Sequence, residues 1–328
     1  MNKNIKIIVN YFLGPILFLL LGWSLYRQVS KQPDLRESWQ HIINSFFQFQ
    51  WLLVLLLMAI NWGLESKKWK LLASQLEPMS WNKAIRAVLA GCSVTMLTPN
   101  RTGEFGGRLF FLSTENRIAG IAATVFGSMS QLLVTLIAGA AGWLYLSNDA
   151  HFQENTNLIF GDQSYLSVLV IMMMVFIFIL ICLLLFRPSV LILLLSKVDY
   201  LNKWVRYLNI WSQYSQKELL SLIAYSSLRY IVFILQYLLL LQLMEVKIEW
   251  MDAMALIALF YLLMAIVPTI GFTELPVRGA MSAVVLGLYS NNALGIQIAG
   301  FSIWLVNLVI PATIGSVILL QVKLMKDK

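Results

Sequence analysis

Glu104 and Arg108 stand four residues apart in TPNRTGEFGGR, Thr98 to Arg108, and Glu274 and Arg278 repeat that spacing in VPTIGFTELPVRGA, Val267 to Ala280. On a helix, Glu preceding Arg by four puts both side chains on one face in the favourable order. Such a pair can hold charge in a medium of low dielectric, where an isolated carboxylate or guanidinium would be neutralised or hydrated. The chemistry open to it is recognition of an anionic group by the guanidinium and proton or headgroup exchange at the carboxylate. Thr98, Asn100 and Arg101 precede the first pair, and a further arginine, Arg229, lies in the middle of LLSLIAYSSLRYIVFILQYLLLLQL. An ionisable residue at that depth is by default a candidate functional group. The candidate substrate-binding or coupling set is therefore Thr98, Asn100, Arg101, Glu104, Arg108, Arg229, Glu274 and Arg278. Arg229 is expected to counter an anionic headgroup or to pair with Glu104 or Glu274.

The elements that must position these groups follow from composition. Of 328 residues, 59% are hydrophobic and 12% charged, about half the charged share of a soluble globular domain. The mean hydropathy is +0.75. An all-α, polytopic integral membrane protein is expected. Runs of about 20 apolar residues cross the hydrocarbon. Six stretches approach that length, about 7–26, 46–65, 118–146, 164–186, 218–243 and 294–321. The first, MNKNIKIIVNYFLGPILFLLLGWSLY, carries no small-x-small cleavage pattern and reads as a retained helix. Two shorter runs, about 87–97 and 253–267, lead directly into the two charged motifs and read as halves of broken, re-entrant hairpins.

Proline and glycine support that reading. Pro99 and Pro268 would end an entering half-helix, since proline cannot donate the next backbone bond. Gly103, Gly106, Gly107 and Gly271 permit turns and close backbone approach. The freed backbone groups then need protein, water or ligand, and a half-helix N-terminus is a ready anion site. Two such hairpins entering from opposite faces are consistent with an inverted repeat, with halves at about 46–146 and 218–321 inside one integral domain spanning 1–328.

Charge placement sets the topology. With the N-terminus inside, 16 Lys and Arg, Lys67, Lys68 and Lys70 among them, fall on the cytoplasmic face and only Arg27, Lys31, Arg36 and Lys247 outside. Both termini are then cytoplasmic, in the inner (cytoplasmic) membrane. This holds only if each short run returns to the face it entered from. The segment 187–217 reads as an amphipathic stretch on the inner leaflet. Trp23, Trp51, Trp62, Trp69, Trp81 and Trp250 read as interfacial anchors, and Ser128, Gln131, Gln236, Gln297 and Asn307 as interhelical hydrogen-bonding groups.

The formal net charge of +8 comes from clusters at the ends of apolar runs, so the expected partners are membrane lipids and not nucleic acid. Cys92 and Cys182 lie in apolar segments, and His41 and His151 are far apart in sequence. Neither a metal nor a cofactor is expected, and no catalytic residue is assigned.

Three stretches carry a resemblance to a known family. LTPNRTGEFGGRLFFL resembles the Thr-Pro-x-x-x-Gly-Glu stretch of the lysylphosphatidylglycerol synthase transmembrane region, or flippase-like, family. ESKKWKLL, Glu65 to Leu72, is similar to its basic-Trp-basic helix end, and VPTIGFTELPVRGA to its late Pro-x-x-Gly loop. In that loop Phe272 and Pro276 stand where glycine is common, and Gly279 follows Arg278. The resemblance implies a stand-alone member without the soluble aminoacyltransferase domain, moving a lipid or lipid-linked anionic headgroup between leaflets. No P-loop pattern is present, so transport without ATP hydrolysis is expected. A transporter is favoured over an enzyme. Alternatives are a membrane-embedded lipid-phosphate transferase or hydrolase, or a noncatalytic partner of an envelope-synthesis enzyme.

Overall fold

The computed structural model describes Trp23, Arg36, Gln40, residues 43–45, 48–95, Thr98, and residues 103–154, 164–196, 207–267 and 274–326. Among these the chain is all helical. The helices are α1 (Gln50–Ala73), α2 (Trp81–Thr95), α3 (Gly103–Leu109), α4 (Arg117–Leu146), α5 (Ser164–Phe186), α6 (Pro188–Ser196), α7 (Gln216–Leu243), α8 (Trp250–Ile266), α9 (Glu274–Leu286), α10 (Ala293–Trp304) and α11 (Ile310–Lys326). Three helical stretches are long and apolar enough to cross a membrane, Thr114–Leu146, Gln216–Leu243 and Ala293–Gln321. The expected first helix at 7–26 lies outside the described residues, apart from Trp23. So do Pro99, Asn100, Arg101, Pro268 and Gly271.

Helices α1 and α7 form the central antiparallel pair. The amide of Gln236 donates to the Val54 carbonyl at 2.9 Å, Arg229 Nε reaches Asn61 at 2.9 Å, and Gln75 donates to Glu218 at 2.7 Å. These contacts run in opposite senses along the two helices, so the end of α1 lies beside the start of α7. A capping box between Ser215 and Glu218 fixes that start. The 28 residues of α7 then carry the chain roughly 40 Å at 1.5 Å per residue.

The hydrogen bonds also decide whether the short helices form returning hairpins. Glu77, just after α1, accepts from the Ser113 N–H at 3.0 Å and from the Asn116 side chain at 3.1 Å. The pair α2–α3 therefore leaves and returns at one end of the bundle. Asn292, just before α10, donates to the Met244 carbonyl at 2.9 Å, so α8–α9 also closes on itself. Since Met244 follows α7 and Glu77 sits beside its start, the two hairpins open from opposite ends.

Backbone contact holds the first hairpin together. A Cβ on Gly103 would lie 2.3 Å from the Val94 carbonyl oxygen, and one on Gly107 would lie 2.4 Å from that of Ala90. These glycines form a Gly-x-x-x-Gly face on which α2 and α3 meet without side chains between them. A Cβ on Gly106 would meet only a Val94 methyl at 3.8 Å, an ordinary contact. Helix α2 packs next against α11, where Gly315 meets the Leu89 carbonyl, while α8 packs against α4 at Gly139 and Gly142. Each of the two shorter helices that lead into a charged motif thus lies along a helix distant in sequence.

One expectation changes. The predicted run 46–65 continues as α1 to Ala73 and buries Lys68 and Trp69, at 2% and 0% exposure, leaving Lys67 and Lys70 outside. Lys68 is not a surface topology charge, and Trp69 is not an interfacial anchor. The reason is helical phase: Asn61, Glu65, Lys68, Trp69 and Leu72 fall on one buried stripe. The described end of the 187–217 segment docks on the bundle, Trp211 Nε1 donating to the Ala122 carbonyl and Tyr214 to that of Leu72.

Candidate functional site

The charged groups converge on a residue absent from the sequence-derived set, Glu65. Its carboxylate accepts from Lys68 Nζ at 2.9 Å, from Arg108 Nη2 at 2.6 Å and from Arg229 Nη1. Arg108 Nη2 also pairs with Glu104, its partner one turn back on α3. Arg229 therefore does not pair with Glu104 or Glu274 as expected. Its place on α7 lies opposite Asn61 and Glu65 on α1, and the antiparallel register brings it to them.

Five ionisable groups from three helices are thus assembled: Glu65 and Lys68 on α1, Glu104 and Arg108 on α3, and Arg229 on α7. Three cations face two carboxylates, leaving an excess of one positive charge when all are ionised. Arg108 is 1% exposed and lies over the Trp69 ring at 5.0 Å; Arg229 lies over Trp62 at 5.7 Å. These aromatic faces add to the stabilisation of guanidinium groups removed from water. Glu104 is the outward member, with 28% of its side chain exposed against 4% for Glu65.

An amide chain supports the cluster from below. Arg229 Nε donates to Asn61, Asn61 donates to Asn307 at 3.2 Å, and Asn307 donates to Gln236 at 3.1 Å. Asn307 reaches this position because the α10–α11 connection is a π turn, Leu305–Val309. Pro311 has no N–H for the Asn307 carbonyl, and the chain widens instead. Gln131 adds a bond to the Ser226 carbonyl at 3.3 Å. Gln131, Gln236 and Asn307 thus bond between helices as expected, whereas Ser128 bonds back to the Thr124 carbonyl of its own helix and Gln297 Nε2 is buried without a partner.

The second motif forms its own pair. Arg278 Nη2 donates to Glu274 at 3.1 Å, both residues are buried, and the guanidinium lies 5.8 Å from the Phe260 ring. Thr98 holds the tip of the first hairpin, its hydroxyl accepting from the Gly103 N–H at 2.6 Å. A hollow of about 370 Å³ lies elsewhere, at the α7–α8 turn beside Gln242, Lys247 and Trp250.

The family described as the lysylphosphatidylglycerol synthase TM region matches residues 11–300. The chain belongs to that family. It is a membrane-embedded, lipid-related protein carrying the transmembrane region of the family. No curated protein matches it. Within this region the signal that would have revealed Glu65 is the period of α1: a Glu and a Lys three apart, with Asn61 four residues before and Trp69 four after, mark one face of a continuing helix.

Proposed function

We propose that the protein is a transporter or flippase that moves a lipid or lipid-linked anionic headgroup between leaflets without ATP hydrolysis. The observation that carries this reading is the buried cluster around Glu65, with three cations against two carboxylates, set at the side of the α2–α3 hairpin. A net positive group held away from water attracts a compensating anion more strongly than it would in solvent. Arg108 and Arg229 are the phosphate-binding groups, Glu104 is the exchangeable carboxylate, and Asn61 and Asn307 orient Arg229. Glu274 and Arg278 form the corresponding polar station in the second hairpin, and Thr98 with Asn100 and Arg101, which follow it in sequence, completes the proposed substrate-binding set. Two hairpins opening from opposite ends support an alternating route between leaflets, with one integral domain built as an inverted repeat. The cell membrane, with both termini cytoplasmic, is the proposed setting.

The test reconstitutes purified protein into liposomes containing headgroup-labelled anionic lipids, an aminoacylated one among them, and tracks the label reached by an impermeant quencher. Wild type should expose label faster than empty liposomes. Arg108→Ala and Glu104→Gln, each still folded, should fall toward the empty rate. Wild type equal to empty liposomes across lipids and imposed gradients would remove the transport reading.

A further inference from the structure

We propose that Glu104 is an internal stand-in for the ligand: a phosphodiester oxyanion replaces its carboxylate on Arg108, and return of Glu104 expels that anion. The proposal rests on the transport reading only for movement of the bound ligand between leaflets; the exchange itself rests on the geometry of Arg108.

Arg108 uses one nitrogen for two carboxylates. Nη2 donates to Glu65 and to Glu104, while Nε is buried and has no hydrogen-bond partner. In a guanidinium, the Nε–H and one Nη2–H point along the same edge, and this edge holds two oxygens of one phosphate or carboxylate side by side. With both carboxylates on Nη2 and none on Nε, half of that edge is unsatisfied, at the cost that attends any buried donor without an acceptor. A phosphodiester with two free oxygens fits both positions. Glu65 cannot be the group that yields, because Lys68 and Arg229 hold it from the other side. Glu104 can, since it has a single described ion-pair partner, lies partly exposed and stands on a helix of seven residues.

Charge conservation favours a singly charged ligand. Exchanging the Glu104 carboxylate for a phosphodiester leaves the buried cluster at the same excess of one positive charge, so no further counterion has to enter. Glu104 therefore acts as a positioning residue and competitor, and its removal should raise affinity, which a merely structural defect would not do.

The experiment measures binding of phosphatidylglycerol, in nonionic micelles, to the full-length purified chain, and separately binding of its soluble headgroup, glycerophosphoglycerol. If Glu104 occupies Arg108 about nine-tenths of the time, Glu104→Gln should bind about tenfold tighter than wild type. Arg108→Lys keeps the charge but lacks the two-pronged edge, and should bind about tenfold more weakly in either background. Tightening with both probes identifies the phosphodiester as what is exchanged; tightening with the lipid alone identifies the acylated form, and both uphold the exchange. Glu104→Gln binding equal to or weaker than wild type, at an unchanged unfolding temperature, overturns it. The lipid-movement assay separates the two readings. Movement without the tightening leaves transport standing and removes the exchange, whereas tightening without movement does the reverse.

Discussion

The two hairpins carry the same local motif in different company. In each, the Arg donates from Nη2 to the Glu four residues before it, and its Nε is buried without a partner. In the first hairpin, Glu65, Lys68 and Arg229 arrive from two long helices and turn a neutral pair into a cluster with one excess positive charge. In the second, the pair rests against Phe260. A spacing of four thus builds the pair, but the chemistry it can do is set by what the long helices bring to it.

Glu65→Gln against Glu274→Gln is the strongest way to break that comparison. Removing Glu65 leaves Lys68, Arg108 and Arg229 crowded together, and the loss should reach about 5 kcal/mol, the upper end for a broken buried ion pair. Removing Glu274 strips one cation of a described partner and should cost about 3 kcal/mol. Thermal unfolding in detergent reads both. Equal losses would mean that the first hairpin draws no more on its neighbours than the second does.

The glycines sharpen the same point. Gly107→Ala places a methyl 2.4 Å from the Ala90 carbonyl oxygen, so α2 and α3 must separate. A loss of about 2 kcal/mol is expected from such overpacking. Gly106→Ala meets only a methyl at 3.8 Å, and should be neutral or stabilise by up to about 1 kcal/mol through helix propensity. If the two substitutions act alike in a detergent melt, the two helices are not held by backbone contact.

The charged hairpins and their glycines are legible in the sequence because each leaves a local mark. Proline, glycine and Glu-x-x-x-Arg all fall within a dozen residues. Glu65 is not legible in that way. It stands at the edge of an apolar run beside Lys67, Lys68 and Lys70, where charge reads as the end of a crossing. Only the continuation of α1 to Ala73 turns Glu65 and Lys68 inward. Arg229 is marked as a site residue by its depth alone, yet its partner depends on the register between two helices more than 160 residues apart in the chain, which no short pattern encodes.

Asn307 tests that long-range part of the site. Asn307→Ala should remove the bridge between Asn61 and Gln236 and leave both amides with a missing bond. A loss of about 1–2 kcal/mol is expected. Phosphatidylglycerol binding should weaken with it, because Arg229 loses the support behind Asn61. The corresponding change at Ser128, whose hydroxyl bonds only to the Thr124 carbonyl of its own helix, should cost less than about 0.5 kcal/mol. An unfolding temperature and an affinity equal to wild type for Asn307→Ala would show that the π turn does not position the cluster.

A smaller effect than that of Asn307→Ala lies where the hairpins close. The first is closed by a carboxylate and the second by an amide, Glu77 and Asn292. Burial raises the Glu77 pKa, but hydrogen bonds from Lys83, Asn116 and Ser113 outweigh it and hold the carboxyl down to about 2 from an ordinary 4.5. A depressed folded pKa stabilises the fold above the unfolded value and loses that contribution as pH falls through the folded one. The deficit of Glu77→Gln relative to wild type, about 1 kcal/mol for partly exposed charged bonds, should therefore be complete at about pH 6. It should shrink between about pH 4.5 and 2. Asn292→Ala should show a deficit that does not change over the same interval, since an amide does not titrate there. Unfolding temperatures of the three proteins across that range measure both trends. A Glu77→Gln deficit that stays flat would mean that the first hairpin is held at its base by the fit of its backbone, and the charge of Glu77 would then have no part in closing it.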